Sequence, residues 1–284
     1  MKTPLVLSGP PRSGTTLLSS LFDGHSEINW LPDEGYFFEH LHLHRSNVKV
    51  FLDSAGLEPF IEGLRDRAIM PPTHKPLTDF PSLRFDWNET AFKTALPPKN
   101  GTIRELWDSL VDAYLAGLGQ TPKRFVCIKA ADYGRSVAGA RRFFPDARCI
   151  IIVRDPVDSL NSLRRCRQNS ACKLLTWPTM AQAISEMNAL ASMPEIDWWL
   201  RYEDLRADKE TTMRALTDWL DLPYEETLTV PSMLEVEWTN NSSFAGERED
   251  TLSESEKAYI RQATAPFCKR FGYPLAADHM PKGL

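Results

Sequence analysis

A chain of 284 residues, 42% hydrophobic and 25% charged, can bury a large core and has the composition of an ordinary globular protein. Its net charge of −5 excludes broad electrostatic binding of nucleic acid and leaves room only for a local basic pocket. No apolar run is long enough to span a membrane, and Met1-Lys2-Thr3-Pro4-Leu5 enters the first strand without a signal-peptide pattern, so the expectation is a cytoplasmic protein without membrane insertion.

The first element is a strand at Leu5-Val6-Leu7, followed by the loop Gly9-Pro10-Pro11-Arg12-Ser13-Gly14-Thr15-Thr16 and a helix over Leu17–Phe22. Gly9 and Gly14 have the spacing of the G-x-x-x-x-G-K-[ST] phosphate loop, but Thr15 stands where that motif has lysine. Backbone N–H groups aimed from a helix N-terminus bind phosphate without any side-chain charge. The missing lysine is the one that reaches the β- and γ-phosphates of a triphosphate. Arg12 supplies a cation instead, so the loop suits a 5′-phosphate group other than that of an Mg·NTP.

This strand–loop–helix unit runs to about Asn29, and an acidic, aromatic segment follows at Trp30–Glu39. Residues 45–100 are less regular: a helix is predicted near Val50–Arg67, then Pro71, Pro72, Pro76, Pro81, Pro97 and Pro98 break the pattern. The segment reads as a mostly helical or irregular insertion over one end of the sheet. Regular order resumes with a helix over Ile103–Leu118, a strand at Phe125–Lys129 and a helix over Val137–Phe144. The continuous apolar run Cys149–Val153 predicts a central parallel strand buried on both faces. Helices over Val157–Arg167 and Thr179–Ala191, a strand at Ile196–Tyr202 and a helix over Lys209–Leu220 come next. Glu254–Arg270 predicts one C-terminal helix, with Ser253 and Glu256 at capping-box spacing. The alternation implies a single α/β domain over residues 1–284, with a P-loop-like parallel sheet flanked by helices and ligands beyond the C-terminal strand ends.

Five cysteines, Cys127, Cys149, Cys166, Cys172 and Cys268, include no C-x-x-C pair, and Cys127 and Cys149 sit in apolar strand runs. This predicts reduced core thiols and no structural zinc. His40 and His44 are at i, i+4 but lack the acidic residue of H-E-x-x-H, so no metal is expected there. His25, at the end of the first helix, is explained by cation–dipole interaction. Trp198-Trp199 is expected to pack a sheet face.

A second polar cluster follows the apolar strand: Arg154 leaves at its C-terminal end, Pro156 starts a helix, Ser162 lies about two turns into it, and Arg165 is one position short of a further turn. Together they can hold a second phosphate. Asp155 competes as a Mg²⁺ ligand of the kind found in NTPases, but Arg154 beside it and Thr15 in the loop weigh against a metal site.

The two sites in this order and register resemble the sulfotransferases that use 3′-phosphoadenylyl sulfate (PAPS). The form Pro11-Arg12-Ser13-Gly14-Thr15-Thr16 is similar to the bacterial and tyrosylprotein branches. The resemblance extends to Lys129, to Tyr202-Glu203-Asp204-Leu205 and to Asn241-Ser242-Ser243-Phe244, and weakens through residues 45–100. No R-K-G segment is found; Arg248 and Lys257 are candidates for its charge.

The resemblance implies that the loop binds the 5′-phosphosulfate and that Arg154 with Ser162 binds the 3′-phosphate. Tyr202 and Asn241-Ser242-Ser243 would lie near the 3′-phosphate and adenine. Lys129 would contact the bridging oxygen or the sulfonate, with Arg12 sharing the leaving-group role. The base would be a carboxylate just after the first helix. Glu34 is favoured for its longer arm before the wall of Tyr36, Phe37 and Phe38; Asp33 is the close alternative, and His40 ranks third. The implied reaction is in-line, metal-independent transfer of a sulfuryl group to the hydroxyl of a small molecule, releasing 3′-phosphoadenosine 5′-phosphate (PAP). A divergent small-molecule kinase and a non-catalytic nucleotide-binding module are the rival readings. The negative surface permits a homodimer without predicting one.

Overall fold

The computed structural model describes residues 2–31, 89–95, 103–129, 135–168, 178–194, 196–230 and 250–276. Among these residues, five strands form one parallel sheet: β1 (Thr3–Ser8), β2 (Ile28–Leu31), β3 (Phe125–Lys129), β4 (Arg148–Val153) and β5 (Trp198–Arg201). Their spatial order is β2-β3-β1-β4-β5. The helices are α1 (Thr15–Phe22), α2 (Glu89–Ala95), α3 (Ile103–Gly117), α4 (Arg135–Phe143), α5 (Pro156–Gln168), α6 (Met180–Ala191), α7 (Tyr202–Ala207), α8 (Lys209–Leu220), α9 (Glu254–Ala263) and α10 (Ala265–Phe271). A short 3₁₀ turn covers Glu226–Thr229.

The continuous apolar strands follow from burial on both faces. Side chains alternate along each strand. Leu5 and Leu7 of β1, Phe125 and Cys127 of β3, and Ile150 and Ile152 of β4 enter a core layer with α1 and α8. Val6, Val126, Ile128, Cys149, Ile151 and Val153 face the opposite way, against α3, α5, α6 and α10. Trp198 packs on Trp219 with ring centroids 5.5 Å apart, and Trp199 packs on Phe271 at 4.9 Å, so the tryptophan pair does serve the two sheet faces.

The sheet order fixes where a ligand can sit. The chain starts at the centre with β1, places β2 at one edge and β3 between them, and then lays β4 and β5 on the other side of β1. Leu17, Leu18 and Leu21 of α1 pack on one face, while Val157, Leu160 and Leu163 of α5 pack on the other. Helices leaving adjacent strands toward opposite faces open a crevice at the strands' C-terminal ends. The loop after β1 and Arg154 after β4 both lie there.

Several local expectations change. Ile28–Leu31 is a strand that spans the end of the first unit and the start of the acidic, aromatic segment; four residues are too short for periodicity to register, and pairing with β3 decides them. Tyr202 does not end a strand but begins α7. The C-terminal helix is two helices: Thr264 leaves helical geometry (φ −107°, ψ 19°), and Pro266 cannot donate the backbone bond that continuity requires. The Ser253–Glu256 capping box forms as expected. His25 is buried, with Nε2 3.0 Å from the Pro223 carbonyl and Nδ1 accepting the Glu27 N–H at 3.0 Å. Those bonds place the proton on Nε2 and replace the cation–dipole explanation. Within the predicted insertion, Glu89–Ala95 is helical; the predicted helix Val50–Arg67 and the prolines from Pro71 to Pro98 lie outside the described residues, as do His40, His44 and Cys172. The other four cysteines are buried free thiols.

Candidate active site

The loop between β1 and α1 is shaped by close backbone approach. A Cβ on Gly9 would stand 2.2 Å from the Ile152 carbonyl oxygen and 2.6 Å from Ser13 Oγ. Gly14 has φ 108° and precedes α1 directly; a Cβ there would meet Tyr202 Cδ2 at 2.5 Å. Between them Arg12 adopts φ 66°, a left-handed backbone that costs a non-glycine residue about 1–2 kcal/mol. The turn is closed by the Ser13 N–H donating to the Pro10 carbonyl at 3.1 Å. α1 has no side-chain cap and no acidic residue in its first turn, so the helix's own residues leave its N-terminal N–H groups and dipole unneutralised. Ser13 Oγ is buried there without a hydrogen-bond partner among the described residues.

Gly14→Ala is expected to cost about 2 kcal/mol or more, combining a left-handed alanine with displacement of Tyr202. A urea unfolding midpoint unchanged from the parent chain would contradict this geometry.

Arginines converge beside the loop. Arg154 donates to the Arg12 carbonyl at 3.3 Å and lies over the Tyr202 ring at 4.3 Å, while its buried Nε has no partner among the described residues. Asp158 Oδ2 is 4.0 Å from the Arg154 guanidinium, at an exposed position. Arg12 Nε donates to Ser162 Oγ at 3.2 Å, joining the loop to the buried face of α5. Burial, then the neighbouring Arg154 and Arg12 guanidiniums, hold Arg165 below its ordinary value. Burial is the larger cause; the smaller contributions of the two guanidiniums place Arg165 beside Arg154 and Arg12. The two predicted phosphate regions are therefore adjacent: Arg12, Arg154, Ser162, Arg165 and Tyr202 form one cluster. Tyr202 is buried at 7% exposure and packs between Gly14 and Arg154.

Lys129 ends β3 level with Leu7 of β1. Its Nζ donates to Thr16 Oγ1 at 3.2 Å, which brings an ammonium to the N-terminal turn of α1 from a neighbouring strand. Asp155 has other duties than a metal. Its Oδ1 accepts the Val157 N–H at 2.8 Å, capping α5 ahead of Pro156, and its Oδ2 is 3.4 Å from Arg261 Nη1. Lys257 pairs with Asp250 and Glu254.

Asp33, Glu34, Tyr36, Phe37 and Phe38 lie outside the described residues, as do Asn241, Ser242, Ser243 and Arg248. Glu203, whose carboxylate accepts the Asp155 N–H at 3.0 Å, belongs to the segment Tyr202-Glu203-Asp204-Leu205, in which residue type alone gives it no role. Arg261 and Tyr273 carry no local sequence signal, because only folding brings the C-terminal segment to the end of β4.

The arrangement fits a ligand with at least two phosphate-type groups: donors at the α1 N-terminus for one and a fork of arginines with Ser162 for the other. A model described as the sulfotransferase family matches residues 4–226. A solved structure titled "Sulfotransferase Domain from the Curacin Biosynthetic Pathway" superposes with a TM-score of 0.55 at 20% identity, covering 97% of this chain and 99% of that one. The sulfotransferase domain from the Synechococcus PCC 7002 olefin synthase gives a TM-score of 0.51 at 17% identity, with 97% of each chain covered. At such identities the likeness extends to the fold. No curated protein sequence matches the chain.

Proposed function

The chain belongs to the sulfotransferase family, and on that premise we propose that it transfers a sulfuryl group from PAPS to the hydroxyl of a small-molecule acceptor. The observation that carries this reading is the adjacency of Arg154, Arg165 and Ser162 to a phosphate loop without lysine. The loop lacks the lysine that an Mg·NTP site places on the β- and γ-phosphates, and Asp155, the residue a kinase would offer to Mg²⁺, is engaged as a helix cap.

In this reading the backbone from Pro11 to Thr16, with the Ser13, Thr15 and Thr16 hydroxyls, holds the 5′-phosphosulfate. Arg154, Ser162 and Arg165 hold the 3′-phosphate; Tyr202 and Asn241-Ser242-Ser243 complete the nucleotide side. Bound there, the donor supplies an activated sulfuryl group and a phosphate leaving group. Lys129 and Arg12 stabilise charge developing on the leaving oxygen, the electrostatic task a metal performs in kinases. Glu34, or Asp33 in its place, takes the acceptor's proton as its oxygen attacks in line with the departing phosphate. Tyr36, Phe37 and Phe38, with parts of residues 45–100, form an aromatic acceptor wall suited to an apolar, ring-bearing or sugar acceptor. One domain over residues 1–284 and a cytoplasmic site of action belong to the same proposal; among the described residues no helix is long and apolar enough to cross a membrane.

The test is calorimetric titration with PAP, without metal, beside ATP·Mg²⁺ and adenosine 5′-phosphosulfate. PAP is expected to bind tightly and alone. Preference for ATP·Mg²⁺ would put the kinase reading first, and turnover abolished by EDTA would count against a metal-independent transfer.

A further inference from the structure

The turn that presents Arg154 is held from behind by the C-terminal segment. Its anchor is Asp155. The Asp155 N–H donates to Glu203 Oε1 at 3.0 Å, and the other Glu203 oxygen accepts the Tyr273 hydroxyl at 2.9 Å. A second route reaches the Asp155 carboxylate: Arg261 Nη1 is 3.4 Å from Oδ2 and donates to the Pro274 carbonyl at 3.0 Å, next to Tyr273. Both routes therefore start at one short stretch just after α10 and end on one residue at the mouth of the crevice.

Tyr273 is itself firmly placed. Its ring is buried, stacks with Phe267 at 6.0 Å and 9°, and has the Arg201 guanidinium 4.8 Å above it. Its N–H returns to the Cys268 carbonyl at 2.9 Å. Burial and the Glu203 carboxylate push the phenol up, so it remains a hydrogen-bond donor. Glu203 follows Tyr202, the residue packed between Gly14 and Arg154, so one strut fixes both the backbone behind the arginine and the ring beneath it.

We infer that Tyr273 and Arg261 are positioning residues for the donor's 3′-phosphate, acting through Glu203 and Asp155 on the direction in which Arg154 leaves β4. This rests on the assignment of Arg154 to that phosphate made above. The physical reason is leverage. A guanidinium at the end of a long side chain meets a phosphate with both prongs only when its backbone origin is fixed. Tyr273 and Arg261 fix that origin from outside the cluster of phosphate-binding side chains.

The test is a double-mutant cycle on the full-length chain, with PAP and adenosine 5′-phosphate as probes in calorimetry. Tyr273→Phe removes one hydroxyl and is expected to weaken PAP binding about three- to tenfold, the worth of one hydrogen bond, without changing adenosine 5′-phosphate. In an Arg154→Ala background the same exchange is expected to have no further effect, because the path ends at Arg154. Arg261→Gln tests the second route and takes over if the phenylalanine variant does not fold. Equal weakening toward both nucleotides, or an effect that adds to Arg154→Ala, would make these residues merely structural and overturn the inference. If Arg154→Ala removes the preference for PAP while Tyr273→Phe and Arg261→Gln leave it intact, the inference alone falls. If Arg154→Ala itself leaves that preference unchanged, the donor assignment falls with it.

Discussion

Arg154→Ala is expected to weaken PAP binding about 30-fold or more, corresponding to roughly 2 kcal/mol or above for loss of a desolvated, charge-paired arginine. The side chain is 15% exposed, so its interaction with an anion is little screened by solvent. Removing it also deletes the bond that Arg154 donates to the Arg12 carbonyl, so the loop loses a brace as well as a charge. Two controls separate these effects. Adenosine 5′-phosphate, which lacks the 3′-phosphate, should bind the variant nearly as well as it binds the parent if the loop survives. Arg154→Lys keeps the charge but loses the two-pronged fork, and should fall between parent and alanine variant. Undiminished PAP affinity in the alanine variant, measured by calorimetry at fixed salt, would contradict the role given to the cluster beside β4.

The second large effect concerns the proton. Glu34→Gln is expected to lower kcat by about 10²–10⁴, the usual contribution of a positioned general base, while PAP affinity stays unchanged. Asp33→Asn is the paired variant, and only one of the two should show the loss. The amide keeps shape and hydrogen bonding but cannot accept the acceptor's proton, so the defect belongs in kcat and not in donor binding. Single-turnover sulfuryl transfer to a hydroxyl acceptor gives the direct reading. Full turnover in both variants would remove the carboxylates from the mechanism and make His40 the next residue to replace.

Much of the fold was legible because its signals are local and strong. Phe125–Lys129 and Lys209–Leu220 have the bounds read from the sequence, since a short apolar run and a clean amphipathic period leave little to tertiary choice. The Ser253 capping box was equally direct, being a contact between residues three apart. What escaped was short or dependent on a partner. Ile28–Leu31 becomes a strand because β3 offers it a ladder, and Tyr202 begins a helix where the pairing of β5 with β4 ends at Arg201.

The site divides in the same way. By itself the sequence determined the chemistry on offer: a Gly9–Gly14 loop with threonine in place of the kinase lysine, an arginine at the end of a buried strand, and a serine and arginine on the following helix. These are fixed by residue type and spacing along one chain segment, which is what a linear pattern can encode. Only the tertiary structure decided that Arg12 reaches Ser162, that Lys129 reaches Thr16 from a neighbouring strand, and that Glu203, Arg261 and the hydroxyl of Tyr273 stand behind the Arg154 turn. Those contacts join residues 150, 113, 48, 106 and 70 positions apart in the chain. They arise because the sheet order sets β4 beside β1 and because α9 packs on α5 and α10 on α6, and no local period or motif records such a meeting.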